Sequence, residues 1–172
     1  YQKILSQNKR YLDLIVGAYR EIGRKNRLND KMFADMIVTS IQSIPYYLIH
    51  PYTHSKASII YGGFIEEWHK TEGLCLPEIK FGLQTPTEFM ANLKGDCDTR
   101  TLFLYTIMKK FLYDVIILNS DTHSMLGVNL PSSGTYISHR GKRYFMWETT
   151  AKNWQMGDMP PNSSGDSWEI IP

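Results

Sequence analysis

Apolar residues recur at helical spacing over the first part of the chain and predict two helices there. The first helix is predicted over residues 1–27, where apolar side chains return every three or four positions. A second stripe runs from Met32 to Ile44 and stops before Pro45, with Asp30 as its expected N-cap. Proline and glycine interrupt residues 45–85, so an irregular segment with short helical pieces such as 63–70 is expected there.

Residues 85–100 contain the clearest local helix signals of the chain. Thr85 is the expected N-cap of a short helix, with Pro86 in the first turn and Glu88 placed to complete a capping box. A further helix is expected to begin at Asp96 or Cys97, with its apolar residues dominating one side.

The second half of the chain has the pattern of an antiparallel sheet. Residues 115–118 are entirely apolar, residues 123–130 alternate, and residues 135–139 and 142–149 are joined by a tight turn at Arg140-Gly141. Residues beyond 151 are rich in proline, serine and glycine and are expected to run over the surface. Helices followed by strands predict an α+β fold, with a helical extension over residues 1–30 and a single domain over residues 31–172.

Composition narrows the functional classes. Of the 172 residues 42% are hydrophobic and 21% charged, which is typical of an ordinary globular protein. The net charge of +2 is too small to indicate a nucleic-acid partner. The basic residues of 1–27 are better explained as a solvated helix face, since Asp13 and Glu21 dilute their charge. No apolar run approaches the roughly 20 residues that span a bilayer.

The chain starts at Tyr1 rather than at a methionine. We expect it to be a mature protein or a piece of a longer one, with any signal peptide or membrane anchor lying in flanking sequence.

Cys97, His123 and Glu148 are the residues whose chemistry stands out. A cysteine at a helix N-terminus is favoured as thiolate by the helix dipole and the unpaired N–H groups. Asp96 and Asp98 oppose this effect because nearby negative charge raises the pKa of a thiol. A cationic partner is therefore needed, and a histidine at the start of a strand is well placed to provide it.

Glu148 is expected inside an apolar strand, where an ionised carboxylate needs a paired donor. An N–H group of the His123 ring would satisfy Glu148 and stabilise the imidazolium. Each residue alone is more often structural, and only the three together indicate an activated nucleophile.

At these residues the sequence resembles the transglutaminase-like superfamily of papain-like thiol enzymes. The matching stretches are IQSIPYY at 41–47, TPTEF at 85–89, KGDCDTR at 94–100, DTHSMLGV at 121–128 and YFMWETT at 144–150. The resemblance extends over roughly residues 35–160. It implies a catalytic helix that begins at the cysteine and packs on an antiparallel sheet.

The resemblance also implies roles for individual residues. Cys97 would be the nucleophile, His123 the base and Glu148 the orienting carboxylate, a position where the family more often has aspartate. Substrate or oxyanion contacts are assigned to Tyr46, Asp96 and Asp98.

The activity implied is thiol acyl transfer on amide or peptide bonds without a cofactor or metal, most simply by a cysteine peptidase or amidase. The expected partner is a protein or peptide substrate, with no nucleic acid, and the expected location is the bacterial cell envelope or periplasm.

Three alternatives stay open at this point. The first is an inert module of the same fold in a larger envelope protein, which keeps the structure without turnover. The second is a structural disulfide between Cys75 and Cys97. The third is a zinc site at His50, His54, His69 and Cys75, which is disfavoured because Pro51 interrupts the helix that would align the first two histidines.

Overall fold

The computed structural model describes residues 12–172, so the apolar positions predicted over residues 1–11 lie outside the described part. Helix α1 covers Asp13–Lys25 and helix α2 covers Asp30–Gln42. The N-cap of α2 is Asn29 rather than the predicted Asp30. Asn29 has the extended backbone that a cap requires, and its side chain accepts a hydrogen bond from the Met32 N–H at 2.9 Å.

Residues 45–85 are more ordered than the sequence predicts. Strand β1 (Tyr47–Ile49) pairs in parallel with β2 (Leu74–Leu76), and helices α3 (His54–Tyr61) and α4 (Gly63–Lys70) connect them. A short 3₁₀ helix follows at Lys80–Gly82. Helix α4 was expected, whereas strands of three residues are too short to produce a recognisable alternation.

Helix α5 (Pro86–Asn92) begins with the predicted capping box. The Thr85 Oγ1 atom accepts from the Glu88 N–H at 3.2 Å, and the Thr85 N–H donates to the Glu88 carboxylate at 2.7 Å. Leu93 then takes a left-handed conformation, with φ of 55°, which ends the helix.

Helix α6 (Cys97–Lys110) is the central element of the fold. It begins at Cys97 as predicted, with Asp96 as its N-cap. The expectation of one dominant apolar side is wrong, because every residue from Thr99 to Met108 is buried. Other elements surround the helix, and its polar residues therefore form hydrogen bonds inside the protein.

The main sheet has five antiparallel strands in the order β5-β6-β4-β3-β7. Its strands are β3 (Val115–Asn119), β4 (Ser124–Val128), β5 (Tyr136–His139), β6 (Lys142–Trp147) and β7 (Glu169–Ile171). The predicted turn between β5 and β6 is confirmed. Arg140 and Gly141 have φ of 49° and 76°, the two consecutive positive values of a type I′ hairpin turn.

The composition of the C-terminal segment predicted that it runs over the surface. Part of it instead joins the main sheet. Strand β7 returns to the edge of the sheet and pairs with β3, where Ile171 lies opposite Ile117. Strand β7 has only three residues and follows a proline- and glycine-rich stretch, so the sequence pattern does not reveal it.

Both faces of the sheet are covered. Leu126 and Trp147 on one face belong to the main core with Leu102 and Leu104 of α6, while Met125 and Met146 on the other face belong to a second cluster. The predicted alternation along β4 is therefore present, and the α+β class is confirmed. None of the described helices has the length and apolar character needed to cross a membrane.

Helix α1 packs into the same core as the sheet and α6. Val16 and Tyr19 of α1 are buried in the cluster that contains Ile37 and Leu104. Within the described residues, helix α1 thus shares one hydrophobic cluster with α6 and the sheet.

Candidate active site

Cys97 occupies the first turn of α6, at the end of a loop that β1 holds in place. The Tyr47 N–H donates to the Gly95 carbonyl at 3.2 Å, which ties this loop to β1. A Cβ atom at Gly95 would lie 2.8 Å from the ring of Phe89. Glycine is therefore needed at this position for the close approach of that ring.

His123 and Glu148 form the contact expected from the sequence. The His123 Nε2 atom lies 2.7 Å from Glu148 Oε2, and the Glu148 side chain is only 4% exposed. The other carboxylate oxygen, Oε1, accepts from the backbone N–H groups of Thr149 and Thr150 and from the Thr150 hydroxyl, each at 2.7 Å.

The environment of Glu148 favours its charged form. Burial alone would raise its pKa, but hydrogen bonding and charge attraction from His123, with the bonds from Thr150, hold the pKa below its ordinary value. The carboxylate is thus available to stabilise a cationic His123 ring.

Both residues lie just outside the strands in which they were predicted. His123 immediately precedes β4 and Glu148 immediately follows β6. A tight turn fixes His123, since its N–H donates to the Ser120 hydroxyl at 3.0 Å and its carbonyl accepts from the Ser120 N–H at 2.8 Å. Because both residues lie beyond the ends of their strands, they are outside the regular hydrogen-bond pattern of the sheet. Their side chains can therefore point toward one another.

Cys97 and His123 line the same open cleft, which has a volume of about 490 Å³. Phe81 and Leu83 contribute its apolar wall, and Asp98 with residues 119–122 contributes its polar wall. The fold therefore gathers the thiol, the imidazole and, behind the imidazole, the Glu148 carboxylate at one edge of the sheet.

The electrostatic surroundings of Cys97 disfavour an unassisted thiolate. Burial is the largest cause, followed by the negative charges of Asp98 and Asp96, and together they raise the pKa of the Cys97 thiol to about 12. Hydrogen bonding from the backbone N–H groups of Ser124 and Asp98 works in the opposite direction. A thiolate at neutral pH thus depends on a positively charged neighbour.

Asp96 and Asp98 differ in their surroundings. Asp96 is 5% exposed and its carboxylate caps α6 by accepting from the Thr99 N–H at 3.0 Å. Asp98 lines the cleft and accepts a hydrogen bond from the Ser124 hydroxyl. Asp96 thus has a structural role as the helix cap, whereas Asp98 is accessible from the cleft, and the substrate roles of both stay predictions.

We expect Asp96→Asn to stabilise the protein above neutral pH. Burial, as the main cause, raises the pKa of Asp96 from 3.8 to about 7, so the folded state resists losing this proton while the unfolded chain does not. Stability contributed by the protonated carboxyl is present at acidic pH and lost as pH rises from about 4 through 7. Asparagine also caps helices, so a gain on the order of 1 kcal/mol is expected at pH 8.

Denaturant titrations between pH 4 and 8 check this expectation, with the exposed Asp121→Asn as control. The difference in free energy of unfolding between Asp96→Asn and the parent should grow with pH. A difference that shrinks over this range would contradict the assignment.

Tyr46 lies close to the backbone of Cys97. Its ring contacts that of Trp68 at 5.6 Å between centroids, and the Cys97 backbone N–H is one of the influences that lower the pKa of its hydroxyl. Burial first, and then the charges of Cys97 and Asp96, raise the pKa of Tyr46, so its phenol stays protonated and able to donate. The oxyanion contact predicted for Tyr46 stays a prediction.

Two buried residues near the site were missed in the sequence. The Gln42 side chain donates to the backbone carbonyls of Glu148 at 2.7 Å and Trp154 at 3.0 Å, which ties α2 to the segment after β6. Arg100 is fully buried one turn beyond Cys97. The sequence offered no clear signal, since Arg100 lies in the polar first turn of α6 between two threonines and Gln42 is the last residue of α2.

The proposed disulfide is contradicted, because both Cys75 and Cys97 are free. The zinc site also lacks support within residues 12–172, where no three His, Cys, Asp or Glu side chains are arranged to hold a metal ion. The three candidate histidines contact one another only through their rings, at 6.0 Å for His50 and His54 and 5.5 Å for His54 and His69.

Comparisons of the chain with protein-family models, with curated proteins and with solved structures find no match. The candidate site is therefore supported by its own geometry.

Proposed function

We propose that this protein is a thiol acyl-transfer enzyme of the transglutaminase-like, papain-like kind, most simply a cysteine peptidase or amidase. The observation that carries the proposal is the contact between His123 and the buried Glu148 carboxylate, 2.7 Å apart, beside a cleft that His123 shares with Cys97 at a helix N-terminus. A nucleophile, a base and a group that orients the base are the parts such chemistry requires.

The hydrogen bond to Glu148 assigns the two ring nitrogens of His123 different tasks. Because Nε2 bonds to the carboxylate, Nδ1 is the nitrogen left to accept the proton of the Cys97 thiol. This transfer creates a thiolate and an imidazolium, and the Glu148 charge stabilises the latter. The imidazolium in turn compensates the negative charges of Asp96 and Asp98.

The reaction then follows thiol acyl transfer. The thiolate attacks a carbonyl carbon, and the resulting oxyanion accepts hydrogen bonds from the Cys97 N–H and the Tyr46 hydroxyl. The C–N bond breaks as His123 Nδ1–H gives its proton to the leaving amine, which leaves a thioester on Cys97. Water or a second amine, deprotonated by His123, releases the acyl group.

An activated acyl donor tests this proposal without knowledge of the natural substrate. Incubation with an N-acetylamino acid p-nitrophenyl ester should add one acyl group, and peptide mapping should locate it on Cys97. Release of p-nitrophenol should continue after the first turnover. A Cys97→Ala variant is the control, and acylation that this variant retains in full would contradict the proposal.

One observation favours the inert module as a second candidate. The thiol pKa of about 12 is that of a cysteine kept protonated, if His123 does not act on it. In that case the ester acylates Cys97 no faster than Cys75. Unchanged biological activity of Cys97→Ala would agree with this second function.

A further inference from the structure

Arg100 is a fully buried cation whose hydrogen bonds all go to backbone carbonyls near the candidate site. Its five N–H groups match five acceptors, which are the carbonyl oxygens of Gly95 (2.9 Å), Ile41 (3.2 Å), Ile44 (2.9 Å), Pro45 (2.6 Å) and Thr150 (3.5 Å). None of the ion pairs formed among residues 12–172 includes it.

These acceptors come from three separate segments that each carry a residue of the site. Ile44 and Pro45 directly precede Tyr46, Gly95 lies in the loop that leads to Cys97, and Thr150 follows Glu148. The carbon at the centre of the guanidinium group also lies 5.6 Å from the Tyr46 ring centroid. One side chain thus joins the backbone segments that carry Tyr46, Cys97 and Glu148.

The charge of Arg100 acts on the same groups. Burial lowers its pKa below the ordinary value, while attraction to Tyr46, Asp96, Glu148 and Cys97 in their ionised forms opposes that effect. A guanidinium retains its proton throughout the working range of proteins. The charged or titratable groups around Cys97 are thus Asp96, Asp98, Asp121, Tyr46, the His123 ring and the Arg100 guanidinium.

We propose that Arg100 is a positioning residue, which fixes Tyr46, Cys97 and Glu148 relative to one another and whose buried positive charge stabilises the Cys97 thiolate. The inference rests on the proposed function and adds to it a residue that touches no substrate. An apolar side chain at this position would leave five backbone carbonyls without their donor, so Arg100 also stabilises the fold, and the test must separate that effect from its effect on the site. The guanidinium belongs to the residue one turn beyond Cys97 on α6 and lies beside the Tyr46 ring.

The test separates charge, geometry and stability in a Cys75→Ser background, where Cys97 is the sole thiol. Arg100→Gln removes the charge, and Arg100→Lys keeps the charge but cannot reach five carbonyls. Ile107→Ala, in the buried part of α6, serves as a control for lost stability. Each variant is first checked for folding by circular dichroism, and iodoacetamide alkylation of Cys97 is then followed from pH 5 to 10.

We expect Arg100→Gln to slow alkylation at pH 7.5 at least tenfold and to move its midpoint to higher pH. Arg100→Lys should alkylate within threefold of the parent and yet turn over an acyl ester at least tenfold more slowly. Ile107→Ala should keep the parent's pH profile. If Arg100→Gln does not fold, Arg100→Lys alone tests the proposal, through normal alkylation of Cys97 combined with slow turnover of the ester.

The proposal is overturned if Arg100→Gln has the profile of Ile107→Ala, or if Arg100→Lys matches the parent in both readouts. Failure of both Arg100 variants to fold would assign the residue to stability alone and would overturn it too. A parent protein that alkylates at Cys97 but accepts no acyl group would instead refute the proposed function. The difference in alkylation between the parent and Arg100→Gln would still show whether the charge of Arg100 acts on the Cys97 thiol.

Discussion

Replacement of His123 by asparagine is expected to slow acylation of Cys97 by roughly a thousandfold or more, on the scale of losing a catalytic base. Burial and the two neighbouring aspartates raise the pKa of Cys97 to about 12, so the thiol depends on His123 to lose its proton. With an amide substrate the leaving amine would also lose its proton donor, so the ester assay reports the loss of the base alone. Pre-steady-state release of p-nitrophenol at pH 7 measures the effect.

The matched control for this substitution is His54→Asn, which changes an exposed histidine on α3, away from the cleft lining. It should leave acylation within twofold of the parent. The folded state of His123→Asn is checked by its denaturation midpoint. If the folded variant keeps acylation within tenfold of the parent, His123 is not the base.

Glu148→Gln is expected to lower turnover on the order of a hundredfold to ten-thousandfold, because the side chain keeps its shape but loses its charge. The amide oxygen can still accept from the Thr149 and Thr150 N–H groups, so the local backbone should hold. The amide NH₂ then faces Nε2 of His123, which it can serve only as a donor. The neutral His123 ring then carries its proton on Nδ1, which can no longer accept the proton of the Cys97 thiol. A protonated His123 ring would have its Nε2–H facing the amide NH₂, so that two donors would oppose one another.

The Glu148→Asp variant and the pH profile distinguish the loss of the charge from a general disruption of the structure. Glu148→Asp keeps the charge, and we expect it to recover part of the activity, with its loss smaller than that of Glu148→Gln. Steady-state hydrolysis of the ester between pH 5 and 9 gives the comparison. Equal activity of Glu148→Gln and the parent would show that the carboxylate only fills space.

The features that the sequence predicted correctly depend on short-range signals. The capping box at Thr85, the start of α6 at Asp96-Cys97 and the hairpin turn at Arg140-Gly141 are each set by residues a few positions apart. Alternation along β4 also placed Leu126 and Met125 on opposite faces. The α+β class followed from the order of these elements.

The features that were missed depend on contacts between distant segments. The pairing of β1 with β2 and of β7 with β3 is decided by tertiary packing of three-residue strands, which carry too little pattern to be detected. Arg100 and Gln42 acquire their roles mainly from carbonyl groups fifty or more residues away in the chain. No spacing rule within one sequence identifies such acceptors.

Strand boundaries had a direct consequence for the candidate site. His123 and Glu148 were predicted within strands, whereas the ladder ends one residue short of each. Their meeting was predicted from the chemistry of a buried carboxylate that needs a donor, and it follows from the antiparallel pairing of β4 with β6. The requirement of a buried carboxylate for a donor thus predicted the contact correctly, whereas the periodicity of the sequence placed both residues inside strands that end one residue short of them.

The pH dependence of Cys97 alkylation by iodoacetamide, in the Cys75→Ser protein, tests the central claim most directly. If His123 draws the proton from Cys97 and Glu148 stabilises the resulting cation, alkylation is fast at neutral pH, well below the pKa of about 8.5 of a free thiol. His123→Asn should remove this neutral reactivity. Alkylation of the parent that rises only in alkaline solution, with the same profile in His123→Asn, would contradict the account.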